Sequence, residues 1–240
     1  MNDMEMNEAL AALARRRQTE LDEGIAAWRQ GDGASVRIWC GPGCGNCCSL
    51  AVNATLPEAF AIATGLGEEQ RQRLSQSVAR LREHARHSDE PRAFLAGYRD
   101  AVGPCPFLNA KAECAIYASR PLACRALLAT RPPDWCGVNL AQLPAIERDS
   151  FLAGLDRNVV AWPTHYAAAP QELAGEYERG LLFAMIRAYG FGVTGNLPLM
   201  VELAGHPDSQ AALKGGPAGF REFLAEHVVS KPFLVQLHEP

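Results

Sequence analysis

Apolar residues along this chain recur mostly at helical spacing. Leu10, Leu13, Leu21, Ile25 and Trp28 mark a first amphipathic stretch, which Gly31–Asp32–Gly33 stops. Arg37–Ile38–Trp39 reads as a short extended piece. Pro57–Glu58 opens a short helix ending at Gly65–Leu66–Gly67, and a longer helix follows with Leu74, Val78, Leu81 and Ala85 in one stripe. Pro91, suited to a first helical turn, starts another that runs to about Val102. Between Gly103 and Leu140 the prolines at Pro104, Pro106, Pro121, Pro132 and Pro133 break any period. Helical spacing returns from Leu140 to Trp162 through Leu143, Ile146, Phe151, Leu155 and Val159. Pro170 opens a helix whose middle, Leu181 to Ile186, is apolar on all sides and is expected to be buried. Pro198 to Leu203 and Phe220 to Val228 close the series, while Phe191–Gly192–Val193–Thr194 hints at a strand too short to count as one. No internal repeat, low-complexity tract or strand–helix alternation is present. The expected fold is all-α, a helical domain with irregular cysteine-bearing loops that gather a metal site. It divides into an N-terminal helical segment at 1–36, a cysteine-cluster metal-binding region at 37–140 and a C-terminal helical region at 141–240 packed as one domain with it.

Composition narrows the function classes. The chain has 240 residues, 48% of them hydrophobic and 21% charged, with a net charge of −4. That is too apolar and too weakly charged for a disordered tail. The acidic balance lacks the electrostatic footprint of a dedicated nucleic-acid binder. No apolar run approaches the roughly 18 residues that a membrane-spanning helix needs. Met1 to Glu23 mixes Asp3, Glu5, Glu8 and Arg15–Arg16–Arg17 with alanines and has no apolar core of a secretory signal, so a cytoplasmic location is expected.

Cysteine changes the picture most. Cys40, Cys44, Cys47, Cys48, Cys105, Cys114, Cys124 and Cys136 all fall in the middle of the chain. In a reducing compartment, such clustering favours metal or redox chemistry over disulfides. Gly41, Gly43, Gly45 and Asn46 permit tight turns around the first four thiols, and Pro42 lies among them. A Cys-x2-Cys pair suits chelation because its two spacer residues turn the chain around an ion. The neighbouring side chains of Cys47 and Cys48 diverge, so they are expected to face two ions, or two atoms of one polynuclear cluster. The second group has long spacings and must be gathered by the fold. Arg120, Arg125 and Arg131 stand where they can offset thiolate charge, and arginine does not lose its proton to do so. The alternative is that they are ordinary surface or helix-end residues.

Cys44-Gly-x-Cys47-Cys48, Cys105-Pro-Phe-Leu and Cys114-x-Ile-Tyr-x-x-Arg120-Pro-x-x-Cys124-Arg125 together resemble the bacterial cysteine-cluster family. That family is known as a zinc- or iron-chelating CxxCxxCC domain, and it also occurs within flagellin lysine methylases. Thr55-Leu-Pro-Glu58, opening a helix soon after the double cysteine, is similar too. The likeness spans about residues 40–126. It departs from the family pattern at the three-residue spacer before Cys44, and Cys136 lies beyond the shared motif. The resemblance implies metal binding and leaves the reaction open.

Cys40-x3-Cys44-x2-Cys47 also has the spacing of radical S-adenosylmethionine enzymes. That fold requires a β/α barrel, for which the sequence lacks alternating strands, and Asn46 stands where that motif carries an aromatic. His84 and His87 have a spacing that can bind metal but also suits an exposed helix face, and His165, His206, His227 and His238 have no motif around them. All-thiolate donors suit zinc, iron–sulfur or copper(I). The leading expectation is a protein that holds an iron–sulfur cluster or iron through all eight cysteines, with zinc as the alternative. The rival readings are a redox or protein-modifying enzyme using an open iron, and a metal carrier or sensor. Tyr117, Arg120 and Arg125 are candidates to line such an opening. Metal ions are the expected partners, with a protein partner or substrate left unspecified and neither nucleic acid nor membrane. The cysteine loops, carrying few large apolar residues, are expected to depend on metal for order between about 100 and 140.

Overall fold

The computed structural model describes residues 3–41, 43–229 and 231–240, so Pro42 of the first cysteine loop lies outside the described residues. The chain opens with a long helix, α1 (Asp3–Gln30), followed by the first cysteine loop and a short strand, β1 (Asn53–Thr55). Next come α2 (Leu56–Ala63), α3 (Glu68–Arg86) and α4 (Pro91–Val102). The irregular middle holds two short helices, α5 (Leu122–Ala126) and α6 (Asp134–Gly137). The rest comprises α7 (Ala145–Ala153), α8 (Ala168–Tyr189), strand β2 (Gly192–Asn196), α9 (Leu197–Ala204), α10 (Ser209–Lys214), α11 (Gly216–His227) and strand β3 (Val235–His238).

The molecule is mostly helical, as its periodicity predicts, and the proline-led starts of α2, α4 and α9 are where expected. Helix α1 packs on α2 and α8, and α2 packs in turn on α9. The main apolar core takes Leu56 and Ile62 from α2, Leu81 from α3, Met200 from α9 and Phe220 from α11. A second cluster joins Leu21 of α1, Leu122 of α5 and Leu181 of α8. Phe107, two residues after Cys105, is fully buried in the main core. Large apolar side chains therefore anchor both halves of the second cysteine segment, Phe107 in the main core and Leu122 in the second cluster.

Three expectations need correction. The fragment after Phe191 is a strand after all: β2 is the centre of a three-stranded antiparallel sheet, with Thr55 opposite Thr194 and Gly195 opposite Val235. Its partners lie far away in sequence and no alternation marks them, so the pairing is tertiary. A Cβ on Gly195 would come within 2.5 Å of the Leu234 carbonyl oxygen, so this strand needs glycine where the edge strand closes in. The 140–162 stretch is α-helical only over Ala145–Ala153, after a 3-10 turn at Leu140–Gln142, and it ends in turns through a cis Trp162–Pro163 peptide. The apolar middle of α8 is not buried all round, because Leu181 and Met185 face inward while Phe183 is exposed.

Candidate metal centre

Among the described residues of the first cysteine loop no side chain is fully buried, and turns and hydrogen bonds hold it. Gly43 adopts a left-handed φ of +75°, which favours glycine, and the Cys44 N–H returns to the Gly41 carbonyl. Asn46–Ser49 forms a single 3-10 turn that carries Cys47 and Cys48. Three contacts dock this turn onto the second cysteine segment and its flank. The Cys105 N–H donates to the Cys48 carbonyl at 2.7 Å. Asn46 Nδ2 donates to the Pro133 carbonyl at 2.9 Å, beside the helix bearing Cys136. Arg99 of α4 donates to Ser49 Oγ at 2.6 Å and also to the Cys136 carbonyl, clipping the two groups together. At the entrance of the loop, the Ala129 N–H donates to Cys40 Sγ at 3.2 Å.

The second segment is built by a different device. Glu58, fully buried, closes a capping box at the start of α2 by accepting from the Thr55 N–H and hydroxyl at 2.8 and 2.7 Å. Its other oxygen accepts from the Leu122 N–H at 2.8 Å, so one carboxyl fixes the start of both α2 and α5, the helix that carries Cys124. Asn109 caps the loop before Cys114 by accepting from Lys111 N and Glu113 N, each at 2.9 Å.

All eight cysteines line one cavity of about 760 Å³, among them Cys40 and Cys136, whose place was the least certain from spacing alone. Tyr117 and Arg120 also line it. Arg125 does not. Its guanidinium points away, donating to the Arg120 and Ala118 carbonyls at 2.7 Å each and pairing with Asp22 of α1. Arg131 lies in a separate groove with Trp135 and Phe151. His84 is engaged by the Phe94 carbonyl at 2.8 Å, and His87 pairs with Glu83.

Electrostatics set the chemistry of the cavity. The hydrogen bond that the Cys47 thiol donates to Cys48, followed by burial, pushes Cys47 up. Burial pushes Cys105 up to about 12 and Cys124 well above the ordinary thiol range. Cys40 and Cys114 rise for the same reason. Arg120 opposes this at Cys40, Cys47, Cys114 and Cys124, since a nearby cation favours the thiolate. Its Nε is buried and has no hydrogen-bond partner among the described residues, and its guanidinium lies over the Tyr117 ring. Clustered, desolvated thiols need positive charge to ionise together, and the two arginines that line the cavity, Arg29 and Arg120, are too few for eight. The donor set therefore fits a bound metal, which lowers thiol pKa values directly.

Two residues that sequence reasoning passed over adjoin this wall. His165 Nε2 lies 3.3 Å from Cys136 Sγ, and Tyr166 hydrogen-bonds the same sulfur. Burial pushes the Cys136 thiol up to about 11 against that hydrogen bond. Neither residue has a motif around it, because they reach Cys136 through a pairing of 129–130 with 165–166 that only the fold creates. Arg99 and Glu58 were likewise invisible as positioning residues.

Residues 39–143 match the family model described as a "putative zinc- or iron-chelating domain" of the CxxCxxCC type. The match extends past the motif legible in sequence and takes in Cys136. It supports metal binding by the cysteine cluster. No curated protein matches the chain, and no solved structure does.

Proposed function

We propose that the eight-thiol cavity of this chain, whose residues 39–143 match the model of a cysteine-cluster chelating domain, holds an iron–sulfur cluster. One observation carries the choice of iron–sulfur over zinc. All eight thiols face one cavity, yet among the described residues no three sulfurs lie within 4.8 Å of one another. A tetrahedral zinc with Zn–S bonds of ~2.3 Å needs four sulfurs about 3.8 Å apart. A polynuclear cluster instead spreads its cysteine ligands over several iron atoms, which suits thiols set more widely. Cys47, Cys105, Cys114 and Cys124 are the first candidates to ligate, because Arg120 or their mutual fields act on all of them. When bound, such a cluster supplies one-electron redox or Lewis-acid chemistry. The residues of this chain would balance charge through Arg120 and orient Cys136 through Tyr166 and His165.

The cavity volume, within the ~300–1,000 Å³ range of ligand pockets, favours a second reading in which one metal atom stays accessible to a small molecule or a protein side chain. Tyr117, 64% exposed, stands at its rim with the Arg120 guanidinium over its ring. Anaerobic purification followed by iron, acid-labile sulfide and zinc analysis tests the first reading. Sulfide in proportion to iron is expected, with sharp loss in Cys105→Ser and Cys124→Ser; zinc without sulfide would overturn it. Cyanide or azide added to the loaded protein tests the second, and an unchanged metal spectrum would remove the enzymatic reading.

A further inference from the structure

A second group of ligating side chains lies in the C-terminal helices, and none of it lines the thiol cavity. His206 follows the end of α9, Asp208 caps α10, and His227 is the last residue of α11. One ligand atom from each comes within 4.8 Å of the others. His206 Nδ1 is 3.7 Å from Asp208 Oδ2, and the two imidazole centroids are 4.2 Å apart at a 46° tilt.

The group rests on a built frame. The buried Phe223 ring packs against both imidazoles, at 5.4 and 4.7 Å between centroids. The Asp208 N–H donates to His206 Nδ1 at 3.2 Å and holds that ring beside the carboxylate. Arg82 of α3 fixes the end of α11 by donating to the His227 carbonyl at 3.0 Å, while it pairs with Glu202 of α9 at 2.5 Å. The side chains of both histidines are only 28% exposed, whereas that of Asp208 is 74% exposed and can swing inward.

We propose that His206, Asp208 and His227 form a mononuclear site for a divalent transition-metal ion of the zinc, nickel, cobalt or iron(II) class. Two imidazoles and one carboxylate select these ions, whereas magnesium and calcium demand oxygen donors. Metal–nitrogen bonds of ~2.0–2.1 Å require only that side-chain rotation draw the three ligands closer. Three ligands leave positions for water or a further small ligand. The ion would tie the ends of α9, α10 and α11 together. The site is independent of the thiol cavity and of what that cavity holds.

Cobalt distinguishes the two by spectrum, because sulfur ligation adds intense near-ultraviolet charge transfer that nitrogen and oxygen ligation lacks. The full chain, purified anaerobically with its thiol centre loaded, is titrated with Co2+. Weak visible ligand-field bands should grow without added sulfur charge transfer. The double variant His206→Gln/His227→Gln should bind this cobalt at least ~100-fold more weakly, since loss of even an outer-shell partner costs ~10–100-fold. Bands undiminished in the variant, or no such bands up to millimolar cobalt, would overturn the proposal. Should that variant fail to fold by far-ultraviolet circular dichroism, wild-type protein with 15N-labelled histidine decides. Zn2+ must then shift or broaden the ring signals of both His206 and His227, and unmoved signals refute the site.

Discussion

Glu58 illustrates how one side chain can hold a site it never touches. Its two oxygens satisfy the start of α2 through Thr55 and the start of α5 through Leu122, and it is fully buried. Burial pushes its carboxyl up, opposed by those hydrogen bonds and by Arg125. Glu58→Ala would orphan two buried N–H groups and open a void. It should cost about 3 kcal/mol and release the Cys124 helix, so metal content falls although all eight thiols remain. Urea denaturation together with iron and zinc analysis measures both, and a variant that keeps wild-type metal content would show that Cys124 needs no such anchor. The sequence displayed Thr55-Leu-Pro-Glu58 as a helix opening but gave no sign of the bond to Leu122, because that partner lies 64 residues away. Arg125 shows the converse. It sits in sequence among the cysteines, yet its five-donor fork is used on the Tyr117, Ala118 and Arg120 carbonyls and Asp22.

At the scale of elements, the two cysteine segments differ in how they are held. The second has Phe107, Ile116 and Leu122 buried in apolar clusters. The first, from Cys40 to Leu50, has no buried side chain among its described residues and relies on hydrogen bonds to Ala129, Pro133 and Arg99. Local opening follows low apolar burial. Chelation should therefore expose 40–50 and the exposed 109–115 turn to protease first, with the rest of 100–140 following later. Limited proteolysis with mass mapping, with and without chelator, checks the order; early cuts near Phe107 or Leu122 would contradict it. Helices α2, α3 and α4 were legible because proline starts and apolar stripes are local signals. The sheet and the wall formed by His165 and Tyr166 were not, since strand partners and contact partners from distant segments leave no period in the chain.

At the scale of the whole molecule, Glu58 of α2 and Glu178 of α8, far apart in sequence, act on one another electrostatically. Burial, and then the charge of Glu58, push Glu178 up to about 8, with Arg179 opposing. Its ordinary value is 4.5, so between 4.5 and about 8 the unfolded chain has released a proton that the folded chain keeps. Stability must then fall as pH rises through that window and level off above it, because the folded state binds more protons. Glu178→Gln removes this group from the balance without changing its size or any cysteine. Thiol titration is common to both proteins and cancels in the comparison. The variant should show a shallower fall, with a residual slope from Glu58, whose carboxyl shifts in the same direction. It should be more stable than wild type near pH 8, with the gap closing towards about pH 5. Urea midpoints for both proteins across that range provide the measurement. Parallel profiles would mean that Glu178 ionises as freely in the folded protein as in the unfolded chain, and that neither burial nor the charge of Glu58 holds its proton.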